Sequence, residues 1–169
     1  MTLNIPAGAK VRASVLNAEK QLIVVATTDT SRTSNTTLLS VTDLAIALEA
    51  NTTYAFDMFL AYDAGVTGDI KCAFTVPSGA SISWAGWGLT TGTTGSFGDM
   101  TAQRADGSGT TLAFGGSATL AGVLACAPRG YVTTGGTTGN LQFQFAQNTS
   151  NGTATTIKSG SWLRAQKVT

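Results

Sequence analysis

The stretch Leu48–Ala80, LEANTTYAFDMFLAYDAGVTGDIKCAFTVPSGA, decides the fold. In its first half Tyr54, Phe56, Met58, Leu60 and Tyr62 recur at every second residue. Side chains alternate across a strand, so these residues share one face of it. Ile70, Cys72, Phe74 and Val76 repeat the pattern in the second half, and Pro77-Ser78-Gly79 ends it. Between the halves, Asp63 to Asp69 (DAGVTGD) is turn chemistry, and the spacing predicts an antiparallel hairpin. Phe59 falls on the other face of the first strand, among Ala55, Asp57 and Ala61. An aromatic there implies that a loop or a neighbouring subunit covers this face as well.

The period of two extends along the chain in both directions. Gln21–Thr27 (QLIVVAT) is apolar on both sides, as a covered strand is. Leu39, Val41, Leu44, Ile46 and Leu48 alternate with a slip near Asp43, which reads as a bulge. Ser81–Trp87 (SISWAGW) puts Ile82 and Trp84 on one side and Trp87 on the other. Leu120–Cys126 and Tyr131–Thr134 resume the pattern. Leu141, Phe143 and Phe145 alternate with Gln142, Gln144 and Gln147, and a closing strand carries Trp162. Residues 88–111 are Gly- and Thr-rich without periodicity and read as a long exposed loop, with at most a short edge strand. Val11, Val15 and Ala18 give the opening its mild helical rhythm, so residues 1–20 are expected to form a short arm or docking segment. About eight to ten short strands joined by turn residues predict an all-β, antiparallel β-sandwich or jelly roll over residues 21–169.

Composition narrows the function. The chain has no histidine, two glutamates (Glu19 and Glu49) and 11% charged residues, against roughly 25% in an average soluble domain. Its ten basic and nine acidic residues form no stripe, so neither nucleic acid nor an anionic membrane is the expected partner. The opening MTLNIPAGAK lacks the layout of a signal peptide, and no apolar run approaches the ~20 residues of a membrane-spanning helix. Synthesis in a cytoplasm is the expectation. Hydrophobic residues make up 43%, and strands such as QLIVVAT and YAFDMFLAY are apolar on both faces. A lone sandwich covers only one face of each sheet, so association with identical subunits is expected.

Chemistry finds little support. Without an imidazole, Ser, Thr and Cys lack the usual general base, and Lys20, Lys71 and Lys158 stand at no telling spacing. Asp57, Asp63, Asp69, Asp99 and Asp106 are the candidates for paired carboxylates or for Ca²⁺, but acids flanking turns are more simply turn formers. Gly86, Gly88 and Gly92 match no phosphate-binding spacing. Cys72 and Cys126 lie in apolar runs and read as buried thiols, with a disulfide left open. The chain therefore reads as non-enzymatic, with no catalytic residue, metal or cofactor. Phe59, Trp87 and Trp162 are the candidate oligomer-interface residues, because aromatics anchor interfaces. Trp87 and Tyr131 are the alternative candidates for stacking a glycan.

Three stretches carry a family resemblance. Ile5–Ala18 (IPAGAKVRASVLNA) resembles the leader of many virion proteins of tailed bacteriophages. Leu48–Ala80 and the closing Leu141–Val168 (LQFQFAQNTSNGTATTIKSGSWLRAQKV) are similar to small minor tail and head-decoration proteins of phages infecting actinobacteria. The resemblance implies a jelly-roll module of the tumour-necrosis-factor or complement-head type. It also implies a homotrimer on the virion surface, contacting major capsid or tail proteins and in some cases a host glycan. It carries over no catalytic residue. Phe145-Ala146-Gln147 stands where many relatives have a Trp.

Overall fold

The computed structural model describes residues 8, 10, 20–91, 99–118 and 124–168. Most of the expected arm, including Val11, Val15 and Ala18, lies outside them, as does the first part of the segment Leu120–Cys126. The described residues form strands and no helix. In chain order the strands are β1 (Leu22–Val25), β2 (Thr30–Arg32), β3 (Leu39–Leu48), β4 (Thr53–Asp63), β5 (Ile70–Thr75), β6 (Ser81–Leu89) and β7 (Met100–Asp106). They continue with β8 (Leu112–Phe114), β9 (Leu124–Cys126), β10 (Arg129–Thr133), β11 (Gly139–Ala146), β12 (Thr155–Ile157) and β13 (Trp162–Lys167).

Their pairing is nested. β1 pairs with β13, β3 with β11, β4 with β10, β5 with β8 and β6 with β7, all antiparallel and each pair enclosed by the one before. The chain is one long hairpin with β6–β7 at its tip. Rolling it up adds the seams β13–β4 and β10–β6 in one sheet and β11–β5 in the other. The resulting orders, β1-β13-β4-β10-β6-β7 and β3-β11-β5-β8, contain the double Greek key of a jelly roll. β12 and β9 flank the far end of β4, and β2, paired with β12, completes a nine-stranded sheet against a four-stranded one.

The predicted hairpin over Leu48–Ala80 is corrected. β4 and β5 belong to different sheets and share no ladder. Residues 63–69 carry the chain across the sandwich, with Gly65 O accepting from the Gly68 and Asp69 N–H groups at 3.0 Å each. The alternation was real on both strands, but both apolar faces look into the same core. Phe56 of β4 meets Phe74 of β5 edge-on at 5.0 Å between ring centroids. Two strands side by side in one sheet would leave that interior without a second wall. Phe74 also meets Trp84 at 5.0 Å and Phe143 at 5.4 Å, so one ring joins strands of both sheets. Such edge-to-face pairs add about 0.5–1.5 kcal/mol each beyond their buried area.

Residues 88–111 hold the short edge strand that the sequence allowed for. Met100–Asp106 forms the seven-residue edge strand β7. It lacked a hydropathy signal because most of its residues face solvent or lie half-buried. The bulge near Asp43 falls where expected: β11 sets Gln142 opposite Ala45 but Gln144 opposite Ser40, so the extra residues lie on β3. The Asp43 carboxylate there accepts the Thr27 hydroxyl at 2.6 Å and the Thr27 N–H at 2.8 Å, which hold its pKa below the usual carboxylate range. QLIVVAT is not covered on both sides, since Ile23 and Val25 are 57% and 47% exposed.

Candidate functional site

The outer face of the nine-stranded sheet is built by alternation. On β4, Tyr54, Phe56, Met58, Leu60 and Tyr62 turn into the core, which sends Ala55, Asp57, Phe59 and Ala61 outward. Register then fixes their neighbours. Trp162 of β13 lies opposite Phe59, and Val25 of β1 lies opposite Trp162. Trp87 of β6 continues this row beyond the connection into β10, where Ala127 N–H donates to Trp87 O at 3.0 Å. With two inter-strand spacings between them, Phe59 and Trp87 stand about 10 Å apart.

The adjacent row is charged. Arg164, Asp57 and Arg129 lie side by side on β13, β4 and β10. Arg164 Nε donates to Asp57 Oδ1 at 2.5 Å, and this bond raises the Arg164 pKa. The Arg164 guanidinium lies 5.3 Å from the centre of the Trp162 ring, and that of Arg129 lies 4.6 Å from Trp87. Each cation thus fixes a neighbouring indole on the sheet surface. A shallow depression of about 580 Å³, lined by Ala55, Asp57, Arg129 and Arg164, runs between them.

The sequence-derived residues all reach this face. Phe59, Trp87 and Tyr131 are 42%, 41% and 52% exposed, and Trp162 is half-buried. Tyr131 sits opposite Ser83, four residues along β6 from Trp87. That separation is about 13 Å along the strand, with Arg129 between, so the two rings do not bracket one sugar. Sequence reasoning set Asp57 on the face of Phe59 but missed Arg129 and the charged row they form. The position of Arg129 two residues from Tyr131 was the available signal.

Three of the carboxylates considered for chemistry have partners of their own. Asp57 is paired with Arg164, and Asp106 bonds Arg104 at 3.1 Å. The Ser83 hydroxyl and then Arg104 hold the Asp106 pKa low. Asp69 is buried, and its Oδ1 accepts the Gly116 N–H at 2.8 Å. Among the described residues no group of three His, Cys, Asp or Glu side chains is placed to hold a metal. No helix among them is long and apolar enough to cross a membrane.

No family model matches this chain, and no curated protein matches it. Among solved structures it is similar to the VP2 subviral particle of infectious bursal disease virus, with 12% identity and a TM-score of 0.39, covering 88% of this chain and 33% of that one. The infectious bursal disease virus Gx strain structure is 9% identical over 88% of this chain and 42% of that one, with a TM-score of 0.20. The chain therefore spans well under half the length of these structures.

Proposed function

We propose that this protein is a non-enzymatic structural subunit of a tailed-phage virion, which works as a homotrimer on the capsid surface or in the tail. One observation carries the reading. The exposed large hydrophobics among the described residues are Ile23, Val25, Phe59, Trp87, Met100, Tyr131 and Val168. All lie on the nine-stranded sheet or the residue that follows β13, and none on the four-stranded sheet. A one-sided apolar surface of this kind is what a partner covers. Identical subunits are the economical partner, and a specific contact of about 1,500 Å² is of standard size. The resemblance of three stretches to phage virion proteins supports the setting, and with it location in the virion after synthesis in the host cytoplasm. Residues 1–20 then serve as the docking segment toward major capsid or tail proteins.

The test is the mass in solution. Light scattering at micromolar concentration should give a trimer, and Phe59→Glu or Trp162→Glu should give a folded monomer. A wild-type chain that stays monomeric at that concentration overturns the trimer. Labelled particles then distinguish capsid from tail, and absence of the protein from particles overturns the virion role.

A second reading is a receptor module that binds a host surface glycan. The exposed Trp87 indole, with Arg129 over its ring, is the observation in its favour. Glycan binding that Trp87→Ala abolishes, with the oligomeric state kept, would establish it in place of the structural reading of that residue.

A further inference from the structure

We propose that the outer face at β10 is a receptor for a hexuronic acid polymer, in which the Arg129 guanidinium takes a sugar carboxylate and the Tyr131 ring takes the face of the sugar beside it. The proposal rests on the glycan reading above and names the class of glycan. Arg129 and Tyr131 both point outward from β10, two residues and so about 7 Å apart. Tyr131 lies between Ala55 of β4 and Ser83 of β6, and Arg129 has Ala85 on its β6 side. These short side chains leave the Tyr131 ring standing above the sheet, 52% exposed. The strip runs over β10 and β6, on the side of β4 away from β13 and β1. It is therefore separate from the contact proposed for Phe59 and Trp162.

The charge left over at Arg129 marks the ligand as acidic. The ion pairs among the described residues use Arg104, Lys158, Arg164 and Lys167, and Arg129 enters none of them. Its cross-strand neighbour Asp57 is held by Arg164 from the other side. The row Arg164–Asp57–Arg129, with two guanidiniums and one carboxylate, thus carries positive charge in excess. Arg129 is also held in place, because its guanidinium lies over the Trp87 ring at 4.6 Å from the centre. The flat ion keeps its N–H donors in its own plane. Stacking on an indole leaves them free to grip a carboxylate through two parallel bonds. Trp87 is therefore a positioning residue, and Tyr131 supplies the apolar platform that a pyranose face needs. The depression of about 580 Å³ beside Arg129 is shallow, which suits a polymer lying across the sheet rather than a small enclosed ligand.

The experiment is titration calorimetry of the full chain at low salt with oligomers containing galacturonate, glucuronate or mannuronate. Their methyl esters, a neutral galactose oligomer and polyglutamate are run beside them. At least one acidic oligomer should bind the wild type, and its methyl ester should bind about tenfold more weakly, since the ester has no charge for Arg129. Arg129→Gln should cost about tenfold, and Arg129→Lys should bind almost as weakly, because an ammonium lacks the planar fork. Arg104→Gln removes the same charge from β7 and should leave binding unchanged. Equal losses from the two glutamine variants would reduce the effect to bulk charge and overturn the proposal. Tyr131→Ala should cost about fivefold. Trp87→Phe should keep binding that Trp87→Leu loses, as a positioning role requires. Polyglutamate bound as well as the uronates would overturn the glycan in favour of an acidic peptide. Binding of the neutral oligomer that depends on Trp87, with no preference for the acids, would leave the glycan reading standing and sink this one. Binding of no sugar at all would sink both, and the wild type with its esters decides this even if a variant fails to fold. Light scattering of the same samples reports the trimer separately.

Discussion

Arg164 and Asp57 face each other across the β13–β4 seam, Nε to Oδ1 at 2.5 Å, while the same guanidinium covers the Trp162 ring at 5.3 Å. One residue therefore links the charged row of the sheet to its aromatic row. Both partners are about two-fifths exposed, so in the isolated subunit water screens the pair and its effect on stability is small. Covered by a second subunit, the pair loses that screening. Asp57→Asn should then leave the thermal midpoint of the subunit nearly unchanged and weaken self-association roughly tenfold, since Arg164 would be buried without its counter-charge. Sedimentation equilibrium measures this, and unchanged association would exclude the face from the contact.

Gly86 and Gly88 make room for one ring. A Cβ at Gly86 would stand 2.5 Å from Phe114 Cζ, and one at Gly88 2.6 Å from Phe114 Cδ1. Phe114 is fully buried and has little space to retreat. Gly88→Ala should cost about 1–3 kcal/mol of unfolding free energy, the usual range for overpacking. Adding Phe114→Leu should recover part of it. Denaturant titration of both variants checks the pair, and strictly additive losses would contradict the steric account.

Much of the fold was legible because alternation survives wherever one face of a strand is buried. Alternation puts Tyr54 to Tyr62, Ile82 with Trp84, and Leu141 to Phe145 each on one face of a strand, and each of those faces lies in the core. The slip near Asp43 was visible because a bulge breaks the period. Alternation does not report the partner of a strand, which is why β4 and β5 looked like a hairpin. Polarity hid Gln147, which falls in phase with Leu141, Phe143 and Phe145 and is fully buried like them. Its Oε1 accepts the Asn35 and Asn151 N–H groups at 3.1 Å each, and its Nε2 donates to Thr153 O at 2.7 Å. The outward aromatics of the candidate site were legible one at a time. Their assembly into rows depends on register between strands distant in sequence.

Trp84 is 1% exposed, and its indole Nε1 finds no acceptor. An unpartnered buried donor costs free energy that a purely apolar ring avoids. Trp84→Phe keeps the contact with Phe74 and removes that donor, so it should change stability by no more than about 1 kcal/mol despite the lost volume. Trp84→Ala opens a cavity and should cost about 3–5 kcal/mol. A phenylalanine variant as damaged as the alanine one would mean that ring volume alone governs this site.

Asp69 is a buried carboxyl in a left-handed backbone conformation, φ 50°, where β5 begins. Burial raises its pKa, and the Gly116 N–H that donates to Oδ1 only partly opposes this. The folded chain thus holds the proton more tightly than the unfolded chain, whose carboxyl titrates near 3.9. The stability this proton confers is complete below about pH 4 and is lost as pH rises through the higher folded value. Once pH exceeds that folded value, the loop around Asp69 carries a desolvated charge. Asp69→Asn removes the charge, retains an oxygen for Gly116 and tolerates the left-handed conformation. Its thermal midpoint should exceed that of the wild type by a few degrees at pH 7, and the gap should close below about pH 4 as the wild-type carboxyl takes up its proton. Scanning calorimetry of both proteins across that range measures the difference. A variant that melts lower at pH 7, or a gap that widens in acid, would show that the Asp69 charge is stabilised by partners other than Gly116.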